Sequence, residues 1–321
     1  MNKTILILTD KFDSHADRVQ MKISEQGIVT FRLNLDVESL KTTKITEKCS
    51  TWYIQTDCGE ISSNEIDGIF LRRAFVELML DEYDSTDIGF KIWRNEWNKV
   101  LLGLYTALRE KIWINRLKYV QIAENKFYQY HIAKQCDLNL PNQIVSNEID
   151  QLKLFIEENG VCVVKTLAQE FYKDNDGVFK GLYVNKINVD SLNEFGDNEN
   201  PITIQKYYDK LYEVRYTVVG DEHFVCKIES QKSLVANVDW RRYDIANTPH
   251  VAMIPPDAIR EKVSSLMELL GLSYGAIDFI VTKENDWVFL EINPLGQWLW
   301  IEDLTGLDIS GGIARFFTKI F

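Results

Sequence analysis

The chain has 321 residues and a formal charge of −12, from 36 Lys and Arg against 48 Asp and Glu. That balance argues against a general nucleic-acid coat or a binder of anionic membranes, while leaving room for a local basic cleft. With 45% hydrophobic and 26% charged residues, 16 Gly and 6 Pro, collagen-like, linker-dominated and broadly disordered chains are excluded, and at roughly 100 to 200 residues per domain two or three packed units are expected.

In chain order, an apolar strand over Thr4 to Leu8 comes first, then a loop with Asp13 or Ser14 as helix cap, an amphipathic helix to about Gln26, Gly27 as its stop and a strand from Val29 to Leu33. This is a β-α-β unit. Strand-like runs recur at Thr51 to Gln55 and Ile69 to Leu71, the second ending in Arg72 and Arg73. Ligands of open α/β sheets gather beyond the carboxyl ends of strands, so these two arginines are placed either to meet an anion or to be ion-paired at the surface. A long helix follows over Asp87 to Glu110, its Trp93, Trp97, Val100, Leu101, Leu104 and Leu108 forming an apolar stripe that reads as core or as a subunit contact, which leaves a homodimer open.

A helix is expected from Ala123 to Gln135, a strand at Gln143 to Val145, a helix to Glu158, an Asn159-Gly160 turn and the strand Val161 to Val164, ending in Lys165. Polar Thr166 to Gly181 reads as a mobile loop or hairpin. Strands resume at Ile202 to Tyr207, Glu213 to Val219 and His223 to Glu229, followed by a helix over Pro256 to Leu270, strands Tyr274 to Val281 and Trp287 to Asn293, and a last helix over Asp308 to Lys319.

No secretory signal opens the chain, and no run approaches the roughly 18 apolar residues of a transmembrane helix. The five cysteines are odd in number and lack a C-x-x-C pair, which suits reduced thiols in cytoplasm. The four histidines show no ligand spacing, so zinc is not expected.

The strongest chemical signal is Gly275-Ala276-Ile277-Asp278-Phe279-Ile280-Val281 followed by Trp287-Val288-Phe289-Leu290-Glu291-Ile292-Asn293-Pro294. A two-residue turn at Glu284-Asn285 sets Asp278 opposite Glu291; one at Asn285-Asp286 sets it opposite Asn293. Either register puts Asp278, Glu291 and Asn293 on one face, and Ile277, Phe279, Val281, Val288, Leu290 and Ile292 on the other. Two carboxylates opposed across a half-buried sheet repel, and oxygen ligands of this kind suit Mg²⁺, which completes its shell with water and phosphates. Phosphates call for cations, and Lys165 at a strand end and Lys126 at a helix start are placed to supply them. Glu213 and Arg215 share a strand face, as a pair facing one cleft or as a surface ion pair.

These elements resemble the ATP-grasp superfamily over about Ile122 to Asn293, most specifically in Lys126, Lys165, Gln205-Lys206-Tyr207-Tyr208, Glu213-x-Arg215, Asp278 and Glu291-Ile292-Asn293-Pro294. The resemblance implies an α/β and α+β chain in three parts. These are an N-terminal β-α-β pre-ATP-grasp domain (1–118), a central lobe (119–207) serving as lid and leader-peptide site, and a C-terminal lobe (208–321) carrying the metal site. It also implies ATP held between the two α+β lobes, with Lys126 and Lys165 on the phosphates, Gln205, Lys206, Tyr207 and Tyr208 around adenine, Glu213 on ribose and Arg215 near the transferring phosphate. Asp278, Glu291 and Asn293 would hold two Mg²⁺. One departure is the segment Thr166 to Glu170, which lacks the glycine-rich phosphate cradle of many such enzymes.

A narrower resemblance carries further along the chain. Phe70-Leu71-Arg72-Arg73, Trp113-Ile114-Asn115, Ala123-Glu124-Asn125-Lys126, Asp239-Trp240-Arg241-Arg242-Tyr243 and Glu291-Ile292-Asn293-Pro294-x-Gly296-Gln297-Trp298-Leu299-Trp300 are similar to the ATP-grasp peptide maturases of microviridin and related graspetide pathways. This similarity implies a ribosomal precursor peptide with a leader as partner. It also implies joining of Asp or Glu side chains to Ser, Thr or Lys side chains as esters or amides, with Arg241 and Arg242 meeting the γ-phosphate or acyl phosphate. The competing expectation is an ATP-grasp ligase that joins free amino acids, as glutathione-synthetase-like or glutamate ligases do. Trp298 and Trp300 read as core or as a wall of the acceptor site, and core is the commoner use of aromatics at that spacing.

Overall fold

The computed structural model of the chain describes residues 3–79, 82–83, 85–167, 171–173, 179–181, 184–194, 200–233 and 247–321. The first unit is the expected β-α-β, with β1 (Thr4–Thr9), α1 (Ser14–Glu25) and β2 (Val29–Asn34). Asp13 caps α1 by accepting the backbone N–H groups of His15 and Ala16, and Gly27 closes it at φ 74°, where a side chain would be strained. Then come α2 (Val37–Thr42), the antiparallel meander β3 (Lys44–Lys48), β4 (Thr51–Thr56) and β5 (Gly59–Ser62), and β6 (Gly68–Leu71), α3 (Ile88–Ala107), β7 (Ile112–Ile114) and α4 (Leu117–Ala123). The sequence reading had no place for α2, β3, β5, β7 or α4. Each is short, and β3, Lys-Ile-Thr-Glu-Lys, is mostly exposed and so lacks a buried face to mark it.

Strands β2, β1, β6 and β7 form a parallel sheet in that order. Strict alternation along β1 sends Leu6 and Leu8 to a core with Leu101 and Leu104 of α3, and Ile5 and Ile7 to a second core with Ala16, Val19 and Ile23 of α1.

The middle of the chain contains α5 (Lys126–Gln135), β8 (Gln143–Ser146), α6 (Ile149–Asn159), β9 (Cys162–Lys165), β10 (Phe171–Lys173), β11 (Phe179–Gly181), β12 (Asn185–Ile187) and β13 (Ile202–Lys206). The single helix expected over Ala123 to Gln135 is broken. Asn125 turns back to accept the N–H groups of Phe127 and Tyr128, so it caps a new helix whose first residue is Lys126. The segment read as a loop or hairpin holds the antiparallel pair β10 and β11. Strands β12, β9, β13 and β8 form an antiparallel sheet whose apolar face, with Cys162, Ile202 and Ile204, is covered by Leu152, Phe155 and Ile156 of α6.

The remainder is β14 (Lys210–Val219), β15 (Glu222–Ile228), β16 (His250–Ala252), α7 (Asp257–Leu270), β17 (Tyr274–Thr282), β18 (Trp287–Asn293), α8 (Leu299–Thr305) and α9 (Ile309–Ile320). The strands form an antiparallel sheet in the order β16, β15, β14, β17, β18. Helix α5 packs on this sheet, its Ile132 and Ala133 joining Leu266 of α7 and Tyr216, Ile277 and Phe279 in one core, although it precedes the central sheet in the chain. Trp298 is fully buried with its Nε1 donating to Ser310 Oγ, and with Ile301 and Phe317 it fuses the C-terminal helices to the α1 side of the parallel sheet. Among the described residues no helix is long and apolar enough to cross a membrane.

The β17–β18 hairpin follows neither expected turn. Asn285 N–H donates to Thr282 O and Asp286 O accepts from Thr282 N–H, with Asn285 at φ 65°, so the loop has three residues and ends in a left-handed one. Near this turn Val281 pairs with Trp287 and Phe279 with Phe289; after a bulge at Leu290, Asp278 pairs with Glu291 and Ala276 with Asn293. The extra residue changes the parity of the strand. Trp287 and Phe289, not Val288 and Leu290, therefore join Ile277, Phe279, Val281 and Ile292 in the core, while Glu291 and Asn293 stay on the Asp278 face.

Candidate active site

The face of the C-terminal sheet opposite α5 and α7 carries its charged groups. Arg215 on β14 and Asp278 on β17 are register partners, and Asp278 is in turn the partner of Glu291 on β18. Arg215 Nη1 donates to both Asp278 oxygens, at 2.8 and 2.9 Å, and both side chains are buried. Lys126 Nζ, from the first turn of α5, donates to Glu291 Oε2. The repulsion expected between Asp278 and Glu291 is thus relieved by two side-chain cations, one on each acid. Such charges hold in a poorly hydrated place only while they are paired.

Glu213, two residues before Arg215 on the same face of β14, is buried rather than at the surface. Its Oε1 accepts from Lys210 Nζ and from Ser230 Oγ, both at 2.8 Å. On the central sheet, Lys165 is the register partner of Thr203 and Gln205 that of Val163, so Lys165 and Gln205 share the face turned away from α6. Gln205 reaches Gln143 Oε1 and bonds the Tyr130 hydroxyl, which itself donates to Leu290 O beside Glu291. Burial pushes the Tyr130 phenol up to about 12, so it stays a donor at neutral pH. This chain of contacts links the two sheets. At the end of β13 and just past it, Lys206 and Tyr207 donate their N–H groups to Asn142 O and Val161 O, and Tyr208 Oη accepts from Asn142 N–H.

Arg215 with Asp278 and Lys126 with Glu291 are therefore two bonded pairs set side by side by the Asp278–Glu291 register, with Asn293 one face position beyond Glu291 and Glu213 one before Arg215. The two arginines ending β6 have other partners. Arg72 is buried, paired with Asp13 and lying 4.8 Å over the Trp298 ring, and Arg73 pairs with Asp10 and Glu77. Arg241 and Arg242 lie outside the described residues. Lys210 and Ser230, which hold Glu213, are not legible in the sequence: Lys210 is three residues from its acid on the same strand, a spacing that alternation sends to the opposite face, and the register shift between Lys210 and Tyr212 is what brings the two together.

The donor set fits Mg²⁺. Asp278 and Glu291 are adjacent across a ladder, Asn293 adds an amide oxygen on the same face, and hard oxygen ligands with one or two carboxylates are what this ion takes. Among the described residues no group of three or more His, Cys, Asp and Glu side chains is arranged around a point. That leaves a site that would draw its remaining ligands from phosphate and water, as Mg²⁺ sites at nucleotides do.

The MvdD pre-ATP grasp domain family matches residues 4–121. A RiPP-associated ATP-grasp ligase of Chryseobacterium gregarium, solved with ADP and a leader and core peptide, superposes with a TM-score of 0.88 at 26% identity, covering 100% of this chain and 98% of that one. The macrocyclase MdnC of Microcystis aeruginosa MRC, solved with the precursor peptide MdnA, gives 0.83 at 25% identity, covering 98% and 99%. The ligase PsnB, solved with a minimal precursor, Mg and ADP, gives 0.75 at 15% identity and shares the fold. No curated protein sequence matches the chain.

Proposed function

We infer that this chain, an ADP-forming ATP-grasp ligase with a pre-ATP-grasp domain of the MvdD kind, matures a ribosomally made precursor peptide by closing rings between its side chains. What carries the reading is the end-to-end superposition on peptide-bound ATP-grasp ligases at 25 and 26% identity, and the acid-and-base cluster of Lys126, Arg215, Asp278 and Glu291 agrees with it.

The reaction takes two transfers. An oxygen of a peptide Asp or Glu carboxylate attacks the γ-phosphorus of ATP, the bond to the β-phosphate oxygen breaks and ADP leaves. A Ser or Thr hydroxyl, or a Lys amine, then attacks the carbonyl of the acyl phosphate, loses its proton, and phosphate departs with the electron pair of the broken C–O bond. Phosphoryl transfer depends on position and charge neutralisation more than on a dedicated base. We assign Lys126 and Lys165 to the phosphates, Arg215 to the oxygens that gain charge, Gln205 to Tyr208 to the adenine, and Glu213 to the ribose hydroxyls. Lys126 is already held beside the acids and needs only to change partner from Glu291 to phosphate. Asp278, Glu291 and Asn293 would hold Mg²⁺, which supplies charge neutralisation and orientation of the phosphates. Arg241 and Arg242 are assigned to the acyl phosphate, whose oxygens suit a planar guanidinium. All five cysteines are free, with three of them buried, which agrees with a reducing cytoplasm.

The test is incubation with Mg·ATP and a candidate precursor rich in Thr, Ser, Asp and Glu, encoded beside the protein. Phosphate release only with peptide, and a product lighter by one water per ring, is the expected outcome. A product heavier by an amino-acid residue would overturn the reading.

A further inference from the structure

Among the described residues strand β18 is the last of its sheet, and none of them forms a strand along the outer backbone edge of the segment carrying Glu291 and Asn293. Its polar groups are nevertheless taken up by side chains from elsewhere in the chain. Gln129 of α5 accepts Ile292 N–H through Oε1 at 3.0 Å and donates through Nε2 to Ile292 O at 2.9 Å and to Ala123 O at 2.6 Å. Asn115, just past β7, donates to Pro294 O at 2.9 Å and Tyr274 O at 2.7 Å while its Oδ1 accepts Ser273 and Tyr274 N–H. Arg72 donates to Leu295 O at 2.8 Å. These three side chains are 1 to 2% exposed. Residue 294 is proline and offers no N–H, so this edge needs no further acceptor there.

We propose that Gln129, Asn115 and Arg72 are positioning residues that stand in for a sixth strand and fix the Glu291 and Asn293 side chains for a divalent cation. Two of the three come from the parallel-sheet part of the chain, so that part acts on the metal ligands through backbone rather than through substrate. A ligand side chain can be no better placed than the backbone bearing it, and on β18 that backbone is held by the β17 ladder on one side and by buried amide and guanidinium groups on the other. Outer-shell hydrogen bonds of this kind are worth roughly 10- to 100-fold in metal affinity or activity where they have been removed. The proposal rests on the assignment of Asp278, Glu291 and Asn293 as metal ligands.

The experiment is Mn²⁺ binding to the full chain with ADP, read from the free-ion electron paramagnetic resonance signal and needing no turnover. Gln129→Met keeps length and bulk but loses all three bonds, and is expected to weaken Mn²⁺ binding by about tenfold or more with ADP affinity in the absence of metal unchanged. Gln129→Glu retains the acceptor for Ile292 N–H and should recover part of that loss. Asn115→Leu and Arg72→Lys are run in parallel with thermal melting, so that loss of fold is separated from loss of metal; Gln129→Met on α5 keeps the test independent of them. If Gln129→Met binds Mn²⁺ as wild type does, the positioning role is wrong and the metal assignment stands. If wild type binds no Mn²⁺ with ADP, or Glu291→Gln binds it unchanged, the metal assignment fails and the positioning role with it.

Discussion

Arg215 and Asp278 face each other as register partners on β14 and β17, and one guanidinium nitrogen reaches both carboxylate oxygens. Both side chains are buried, so each charge has lost water and is compensated by the other. Arg215→Met should destabilise the fold by about 3 to 5 kcal/mol because it leaves Asp278 uncompensated. The double variant Arg215→Met, Asp278→Leu should be less destabilised than Arg215→Met alone. Equilibrium denaturation of the set checks this, and an additive double variant would refute the coupling.

The Lys126 contact with Glu291 places a lysine where the metal reading requires a cation. For the acid to take Mg²⁺, the lysine must let go. Lys126→Met should therefore bind Mn²⁺ more tightly than wild type when no nucleotide is present, yet raise the KM for ATP by about tenfold or more, the scale of a lost charge-assisted contact of roughly 1.5 to 3 kcal/mol. Calorimetric titration separates the two effects. Weaker metal binding in the variant would contradict the competition.

Lys165→Ala and Glu291→Ala are expected to remove nearly all turnover; neither side chain belongs to an apolar core, and Lys126, 21% exposed, can turn to water when Glu291 is lost, so the melting temperature should fall less than in Arg215→Met. Phosphate release in the presence of peptide is the measurement. Turnover within a few-fold of wild type would sink either assignment.

How much of this was legible in the sequence differs from residue to residue. Asp278, Glu291 and Asn293 stood out because they interrupt apolar strands, and Glu213 and Arg215 because alternation puts them on one face. The bulge at Leu290 left no such trace: an extra residue changes parity without changing composition, so the core face was expected to hold Val288 and Leu290 where it holds Trp287 and Phe289. Gln129 was hidden for another reason. Its partner is the backbone of a residue 163 positions away, and backbone acceptors are the same at every residue, so nothing in the local sequence separates it from a solvated helix glutamine. Asn125, by contrast, binds N–H groups two and three residues on, and that signature was present in the sequence though read as helix interior.

His15 stands edge-on to Trp298 with ring centroids 4.5 Å apart, and burial, then the Arg72 charge, pull its pKa from 6.5 down to about 4. Between those values the unfolded chain binds a proton that the folded protein does not. Stability should therefore fall as pH drops from 6.5 toward 4, and this contribution vanishes above 6.5. The loss is about 2 kcal/mol between pH 7 and pH 5, taking 1.36 kcal/mol per pKa unit. Urea unfolding at the two pH values measures it, and His15→Gln should flatten the difference; equal slopes would reject the assignment.

Gly296 lies against the site without taking part in it. A Cβ there would sit 2.6 Å from Ala276 Cβ and 3.2 Å from Asn293 Cβ, and the alanine methyl cannot swing aside. Gly296→Ala should push the Asn293 end of β18 away from β17 and lower activity more than it lowers the melting temperature. A parallel activity and stability assay decides, and full activity would show that Asn293 tolerates the shift.

The extra residue in β18 divides a strand of seven residues into two stretches that answer to different selection. Changes at Trp287 and Phe289 fall on the aromatic wall and would surface in a mutational scan as poor expression. Changes at Glu291 and Asn293 fall on the Asp278 face and would surface as well-expressed, inactive protein. Deleting residue 290 would leave plain alternation, with Phe289 still opposite Phe279 and Glu291 still opposite Asp278, so the shortened strand should serve both the core and the site.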